Sequence, residues 1–534
     1  MTVTQPSKLR TAGAPPDTPR ASSHRSVLIV TCVALATVVS AVASLNVAIP
    51  SIARDTHASQ TQLSWVIDAY ALIFAALLLP AGAVGDRFGR RRALLTGLAI
   101  FGAGSVAAMC MSSAAGLIAM RAVLGLGAAL VMPATLSTIT STFPPEQRAK
   151  AVGTWAGVAG GSAIFGLLTS GIVLEQWSWR AVFGVSVILA VCAMVGSLRV
   201  VPESADPHAP AVDRIGAVLV VLGLGTLVYS IIEAPTAGWA GPRTIIGVTA
   251  GLVVLAGFVR WELQCPSPLL DPRLFRQRPF AAGTLSLSLQ FFAFFGFLFL
   301  VLQYLQLVLR YSPLIAAIAL IPMALALMAG ARILAPKLVT RIATGPTCAA
   351  GLVLAAAGLT VLSTLDTSSS YWLLLSGLVP LGVGMGLAMT PATAAVTDGL
   401  SKDKQGVGSA MNDLSRELGG ALGIAVLGSV LQSTYRAHLD VRGLPRPAAD
   451  RARESLAVAM RLGPHVTHNA QTAFVDGMHY ALLAAAAALL ATALTVIALH
   501  HTDPSEPRVQ PHHARGRRQR STMTANMMDV RDEQ

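Results

Sequence analysis

The sequence predicts an all-α polytopic membrane protein with 14 transmembrane helices, on three observations. First, the 534 residues are 54% hydrophobic and only 12% charged, whereas soluble proteins carry about 25% charged residues. Second, the mean hydropathy is +0.62. Third, apolar stretches of roughly 20 residues, the length that crosses a bilayer, recur along the whole chain. One large helical membrane body fits these observations better than several soluble domains.

The apolar stretches define fourteen spans, which we number 1 to 14 in chain order. The ninth is longer than a bilayer requires, so we expect it to tilt or to continue past the membrane. The predicted spans are 27–49, 63–84, 93–111, 116–140, 151–173, 180–201, 214–233, 243–260, 280–309, 313–334, 346–365, 371–394, 408–432 and 475–499.

The lysines and arginines predict the orientation of these spans. Most of them fall on the side of the N-terminus, which the positive-inside rule assigns to the cytoplasm. A long outer loop, 433–474, is also basic, but long segments cross membranes largely regardless of charge. We therefore expect a multi-pass plasma (inner) membrane protein with both termini in the cytoplasm. The polar segments 1–26 and 501–534 are predicted to be disordered tails, the second of them basic.

Several other functional classes fit the composition poorly. The 39 Lys and Arg against 26 Asp and Glu could indicate a nucleic-acid binder, but the basic residues occupy short loops and tails without interleaved aromatics. The five cysteines lack metal-site or disulfide spacing, and no His cluster with ligand spacing lies in the spans. The chain has no G-x-x-x-x-G-K-[ST] pattern, so it contains no ATP-driven motor. We expect no metal and no cofactor, and an intramembrane enzyme is disfavoured.

One short cytoplasmic turn, between spans 2 and 3, concentrates charge in an otherwise apolar chain. Its glycines allow a tight turn, and its acid lies among arginines near a helix N-terminus. We predict that it is a latch that holds two helix bundles together on the cytoplasmic side. The residues of this turn are Gly82, Asp86, Arg87, Gly89, Arg90 and Arg91.

The pattern Gly82-x-x-x-Asp86-Arg87-x-Gly89-Arg90-Arg91 resembles the loop signature of the major facilitator superfamily. Further stretches resemble its fourteen-helix drug–proton antiporters: "LNVAIPSI" (45–52), "WVIDAYAL" (65–72), "SWRAVF" (178–183), "YLQLVLRYSP" (304–313) and "AFVDGMHYALL" (473–483).

The resemblance covers about residues 27–500 and implies the major facilitator fold. That fold has two six-helix bundles, here 27–201 and 280–500, plus two additional central helices within 202–279. It also implies alternating access and export of hydrophobic compounds, with the proton motive force as the energy source.

Ionisable residues inside spans need an explanation, because each costs about 2.5–3.5 kcal/mol on insertion scales. Asp68 in span 2 and Arg121 in span 4 both lie about five residues from the outer end, roughly 8 Å deep. Asn46 in span 1 has a similar depth. Equal depth predicts an Asp68–Arg121 pair. This pair could be a static structural element, or Asp68 could bind the coupling proton while Arg121 stabilises its carboxylate until the two separate.

Span 13 carries a second ionisable group near its cytoplasmic end. Asp413, Arg416 and Glu417 are spaced i, i+3 and i+4, so they share one helix face and are expected to pair. Two interpretations stay open, a structural network and a second proton site.

Span 5 carries a glycine stripe. Gly153, Gly157 and Gly161 are four residues apart and share one face, and Gly166 and Gly171 follow. Such stripes let helices pack backbone to backbone. In the family this region acts as a hinge between the bundles.

Three departures from the family pattern concern the same regions. Ala41 replaces an Asp in span 1, and Leu124 replaces a Gln in span 4. In span 5, "GLLTSG" (166–171) has Leu167 and Ser170 in place of Pro and Gly. Because fewer acids remain for coupling, we favour lipophilic over strongly cationic substrates.

The expected ligand is a small lipophilic molecule, and protons and the lipid bilayer are the other expected partners of a monomer. The residues predicted for a substrate cavity are Asn46, Phe291, Phe295 and Gln303. A proton symporter with the same fold and a sensor that does not transport are the alternatives to export.

Overall fold

The computed structural model describes residues 21–205, 213–398 and 405–501. Every regular element in these ranges is helical, and fourteen helices are long and apolar enough to cross a membrane, as the sequence predicts. Spans 1 to 14 comprise His24–Thr56, Gln60–Phe88, Arg90–Met109, Ala114–Thr142, Glu146–Gln176, Arg180–Val200, Arg214–Ala237, Pro242–Glu262, Arg278–Val308, Pro313–Ile342, Thr344–Leu362, Tyr371–Thr397, Ala410–His438 and Pro464–Leu499.

The predicted tails lie mostly outside the described residues. Within the N-terminal segment 1–26, the helix of span 1 already begins at Ala21, so the predicted tail is too long there. At the other end, the helix of span 14 continues to His501.

Spans 9 and 10 are interrupted helices. Span 9 is α-helical over Arg278–Gln303 and ends in a π-helical turn, Tyr304–Val308. Span 10 consists of the α-helices Pro313–Ala319, Ile321–Ala329 and Ala335–Ile342, with a π-helical turn, Gly330–Leu334, before the last. Proline stands at the start of each of its α-helical pieces, where its missing N–H costs least.

The helices pack as two groups of six. Spans 1–6 contact one another, as do spans 9–14, and spans 7 and 8 form a pair between the groups. Span 7 packs against span 2 of the first bundle and span 13 of the second. Ser429 Oγ of span 13 donates a hydrogen bond to the Ile231 carbonyl of span 7 at 2.8 Å. The additional helices therefore cover one of the two seams where the bundles meet.

The two bundles touch at the ends of the spans that lie farthest from the 82–92 turn. Gln306 Nε2 of span 9 donates to the Val47 carbonyl of span 1 at 3.0 Å. The Leu314 N–H of span 10 donates to Glu175 Oε1 of span 5 at 3.3 Å. These contacts close the outer end of the interface between the bundles.

The opposite half of the same interface is open beside span 5. Gly153 and Gly161 are exposed, and a Cβ added to either would meet no atom within 4 Å. A Cβ on Gly157 would meet only Arg332 Nη2, at 3.9 Å. The predicted helix packing is therefore wrong for these three glycines, because the bundles are apart where the stripe lies.

The other two glycines of span 5 do make close contacts. A Cβ on Gly166 would collide with the backbone of Ser40 in span 1, and one on Gly171 would lie 2.9 Å from Leu314 Cα. Ser170, which departs from the family glycine, donates its hydroxyl to the Ser44 carbonyl at 2.7 Å. This hydroxyl thus joins spans 1 and 5.

The outer loop predicted at 433–474 is shorter in the structure, and part of it is helical. Span 13 continues to His438, span 14 begins at Pro464, and two short helices, Arg446–Glu454 and Leu456–Ala459, lie between them. Tyr435 Oη donates to the Ala452 carbonyl at 2.8 Å. The segment therefore folds against the outer ends of the spans.

We expect Gly166→Ala to destabilise the protein and Gly161→Ala to be neutral or slightly stabilising. The first adds a methyl group against the Ser40 backbone, at a cost of about 1–3 kcal/mol. The second meets empty space and gains up to about 1 kcal/mol of helix propensity. Thermal unfolding of the purified variants in detergent measures both changes, and equal melting temperatures would contradict the packing described here.

Candidate functional site

Asp68 is the most deeply buried acid of the described chain. It lies in span 2 with 0% exposure, and neither carboxylate oxygen has a hydrogen-bond partner. Burying an unpaired charge in an apolar interior is expensive, so such a group binds a proton or a cation when it can.

Arg121 does not pair with Asp68, and the predicted ion pair is therefore wrong. Its Nε donates to the Val66 carbonyl at 2.9 Å, and its guanidinium lies 4.2 Å from the centre of the Tyr70 ring. Val66 and Tyr70 are four residues apart and share one face of span 2, whereas Asp68, midway between them, points to another face. Two side chains at the same depth in the membrane need not point toward each other, and these two do not.

Tyr70 is a site residue that the sequence analysis missed. It is fully buried, and its hydroxyl lies 3.4 Å from the Val38 carbonyl of span 1. The charges of Arg121 and of Glu417 from the second bundle both act on it. Tyr70 thus lies where the two bundles face each other. A buried tyrosine usually needs a partner for its hydroxyl, and this requirement could have marked it.

The ionisable group of span 13 lies on the other side of this interface. Asp413 is buried, and Arg416 and Glu417 are half-buried. The three interact electrostatically, but in the described structure no ion pair joins them. Instead the Arg416 guanidinium lies 4.7 Å from the centre of the Phe291 ring in span 9. The expected pairing within span 13 is therefore replaced by a cation–π contact between spans.

The predicted cavity residues are two aromatic side chains and two amides, and each amide donates a hydrogen bond to the backbone of its own helix. The Phe291 and Phe295 rings are 5.9 Å apart, and both also contact Phe294. Asn46 Nδ2 donates to the Val42 carbonyl at 2.9 Å, and its Oδ1 has no partner.

Two further buried amides, those of Gln303 and Gln290, belong to span 9. Gln303 Nε2 donates to the Phe299 carbonyl at 3.0 Å. Gln290, beside the aromatic run of this span, is fully buried with neither amide atom hydrogen-bonded. The described interior thus contains polar groups whose hydrogen-bonding capacity is not used.

The charged turn between spans 2 and 3 is held by its own bundle. Asp86 Oδ1 accepts a hydrogen bond from Arg90 Nε at 2.8 Å. Gly89 has φ +118°, and a Cβ there would lie 2.6 Å from Glu203 Oε1. The latter oxygen also accepts from the Arg91 N–H at 3.2 Å. The turn therefore wraps around a carboxylate that sequence reasoning did not single out.

The remaining contacts of this turn also stay within the first bundle. Arg91 Nη2 donates to the Leu198 carbonyl of span 6 at 2.6 Å. Gly82 lies against Pro133 of span 4, and Arg87 is exposed. The predicted latch between bundles is therefore wrong for this conformation: the turn fastens spans 2 and 3 to the end of span 6.

Two bundles of membrane-crossing helices, with ionisable side chains buried in their apolar interior, define a multi-pass membrane protein. The chain belongs to the Major Facilitator Superfamily, whose family profile matches residues 29–424.

Two relatives with known names cover most of the chain. The tetracenomycin C resistance and export protein of Streptomyces glaucescens is 32% identical over 478 residues, which are 86% of this chain and 88% of that protein. The multidrug resistance protein Stp of Mycobacterium tuberculosis is 32% identical over 468 residues, covering 83% and 86%. The relatives are therefore resistance and export proteins.

Solved structures support the fold. A bacterial homologue of the human lysosomal transporter Spinster, in an inward-facing and unoccupied conformation, matches with a TM-score of 0.63 at 16% identity. The match covers 90% of this chain and 98% of that chain.

We expect Asp86→Asn to reduce transport strongly while leaving the amount of protein in the membrane near normal. The Asp86–Arg90 pair is partly exposed and contributes at most about 1 kcal/mol to stability, but its loss frees an arginine of the turn. Transport and membrane abundance are measured side by side, with Glu146→Gln, an exposed acid at the start of span 5, as the control. Unchanged transport in Asp86→Asn would refute a role of this carboxylate.

Proposed function

We propose that this protein exports lipophilic drugs or antibiotics across the plasma membrane by proton antiport with alternating access. The observation that carries the proposal is the Asp68 carboxyl, which is fully buried in span 2 and has no hydrogen-bond partner. The resistance and export functions in the names of the relatives support the direction and the substrate class.

The conformation fits one state of an alternating-access cycle. If the positive-inside rule holds, the 82–92 turn is cytoplasmic, and the bundles are closed outside and open inside. The contacts Gln306–Val47 and Glu175–Leu314 would then form the outer gate. Opening this gate breaks these hydrogen bonds and separates the packed outer ends of the bundles, and each proton that moves inward supplies roughly 2.3 kcal/mol per 100 mV.

Proton coupling is assigned first to Asp68. Its carboxyl has no protein partner in this conformation, so a bound proton removes the cost of an unpaired charge. In the outward-facing state the proton would be loaded from outside, and in the inward-facing state it would be released. Asp413 and Glu417, which face the same interface and interact with Arg416, are the second candidates.

Substrate binding is assigned to the aromatic side of the interface. Phe294 and Phe295 are half-buried and pack on the buried Phe291, whose ring lies against Arg416. Aromatic surfaces bind flat, lipophilic compounds with little loss of side-chain freedom, which suits a site that takes several drugs.

We expect Asp68→Asn to abolish proton-driven export. Drug accumulation is measured in an efflux-deficient bacterial host with a panel of lipophilic antibiotics and dyes, with and without an uncoupler. Wild type lowers accumulation, and both the uncoupler and the substitution remove that effect. Asp450→Asn, an acid that is 71% exposed in the outer segment, is the matched control and should export normally.

Export that depends on the uncoupler but survives Asp68→Asn would instead make Asp68 structural. Glu417→Gln and Asp413→Asn, tested in the same assay, then identify the coupling acid of span 13. No export of any compound by wild type would contradict the drug-export proposal.

We expect a cross-link between Glu175→Cys and Leu314→Cys to stop transport. Glu175 Oε1 accepts a hydrogen bond from the Leu314 N–H at 3.3 Å across the outer gate, so a short, reducible bifunctional thiol reagent reaches between cysteines at these two positions and holds the gate shut. The variant is built without the exposed Cys110 and Cys192, and transport is measured before and after reduction. Full transport in the cross-linked double variant would exclude opening at this gate.

A further inference from the structure

A cavity lies inside the second bundle, which consists of spans 9–14, apart from the site between the bundles. It has a volume of about 100 Å³ and is enclosed by spans 9, 11, 12 and 14. Its walls come from the first turns of spans 9 and 11 and the last turns of spans 12 and 14. All four ends lie on the same side as the 82–92 turn, so the cavity opens at that surface of the membrane.

The interior of this cavity is mostly apolar. Its two innermost polar groups satisfy each other: the buried Cys348 thiol donates to Ser286 Oγ at 3.5 Å and to the Ala388 carbonyl at 3.6 Å. The remaining wall is largely alanine, glycine, proline, valine and leucine. The cavity therefore accepts hydrocarbon and offers a polar ligand little inside.

The mouth of the cavity is positively charged. Arg278 forms part of its wall and is the first residue of span 9. Arg273 and Arg276 precede it in the turn Pro272–Arg276. Ser286 is eight residues further along the helix, so the cavity reaches about 12 Å from its basic mouth into the membrane.

Size and charge together select the occupant. A drug-sized ligand needs a pocket of roughly 300–1,000 Å³, so this cavity is too small for the export substrate. A hydrocarbon chain fits a narrow apolar slot, and an anionic group fits the arginine at its mouth. A membrane lipid with an anionic headgroup has both features.

We propose that this cavity binds an anionic phospholipid, with the lipid phosphate at Arg278 and the upper part of one acyl chain between spans 9 and 12. The lipid belongs to the leaflet on the side of the 82–92 turn. It fills the space between helices that would otherwise have to close or take up water. This site is separate from the transport site, and its existence does not depend on the direction or energy source of transport.

Native mass spectrometry of the purified protein tests the proposal. The protein is incubated with phosphatidylglycerol and phosphatidylethanolamine of identical acyl chains, and the retained lipids are counted. Wild type should retain phosphatidylglycerol in preference. Arg278→Ala should reduce that preference about five-fold, and Arg278→Lys should keep most of it.

Two alanine substitutions test the apolar part of the site. Ala282→Leu fills the cavity and should reduce retention of the lipid, whereas Ala281→Leu, on the neighbouring residue outside the cavity wall, should not. Thermal unfolding checks that both variants fold. If Ala282→Leu does not fold, Ala395→Leu fills the same cavity from span 12 and takes its place.

Several results would overturn the proposal. Equal retention of the two lipids by wild type, or an unchanged preference in Arg278→Ala, would show that no anionic headgroup is recognised there. Unchanged retention in a folded cavity-filling variant would place the lipid elsewhere. Displacement of the lipid by inorganic phosphate alone would indicate a phosphate site, and displacement by an exported drug would indicate a substrate site.

Discussion

The cost of an unpaired polar group in an apolar interior constrains the whole structure. Backbone groups meet this constraint by forming helices, and the interrupted spans 9 and 10 meet it with π-helical turns instead of open loops. Side chains meet it less completely. Arg121 uses a backbone carbonyl and an aromatic ring, and Arg416 uses Phe291. Asp68 and Gln290 are left without partners. Unsatisfied groups of this kind are where a transporter can bind protons or ligands.

The same constraint explains how the bundles can separate. Helices within a bundle approach through small residues and join by hydroxyl-to-carbonyl bonds, as Ser170 and Ser44 do. Between the bundles the contacts are fewer: spans 2 and 13 pack together on one side, spans 5 and 10 on the other, and hydrogen bonds at Val47 and Leu314 join the bundles at their outer ends. The interface between the bundles is therefore the surface along which they can move relative to each other. The additional spans 7 and 8 cover one seam, which leaves the side of spans 5 and 10 exposed.

Much of the fold could be predicted because the membrane imposes a simple rule on the sequence. Each crossing needs about 20 apolar residues, so fourteen spans were visible in the chain. Their ends were less certain, because a helix does not stop where its apolar stretch stops. Span 14 begins at Pro464 and not at residue 475, since polar residues continue the helix beyond the membrane. The structure of the 433–474 segment was not predictable, because it depends on contacts with the outer ends of span 13 and of the distant span 1.

The sequence by itself determined the class of protein and the number of spans, and it singled out Asp68, Arg121 and Asp413 among the buried charges but not Glu262. It also predicted the depth of the charges that it singled out, because depth follows from position along a helix. Only the tertiary structure decided which groups meet, since partners depend on the rotation of each helix about its axis. Because of that rotation, Arg121 contacts Val66 and Tyr70 and not Asp68, and Arg416 contacts Phe291. The tertiary structure also placed Glu203 against the turn at Gly89 and left Gly153 and Gly161 without neighbouring atoms, because the distance between the bundles is a property of the assembled helices.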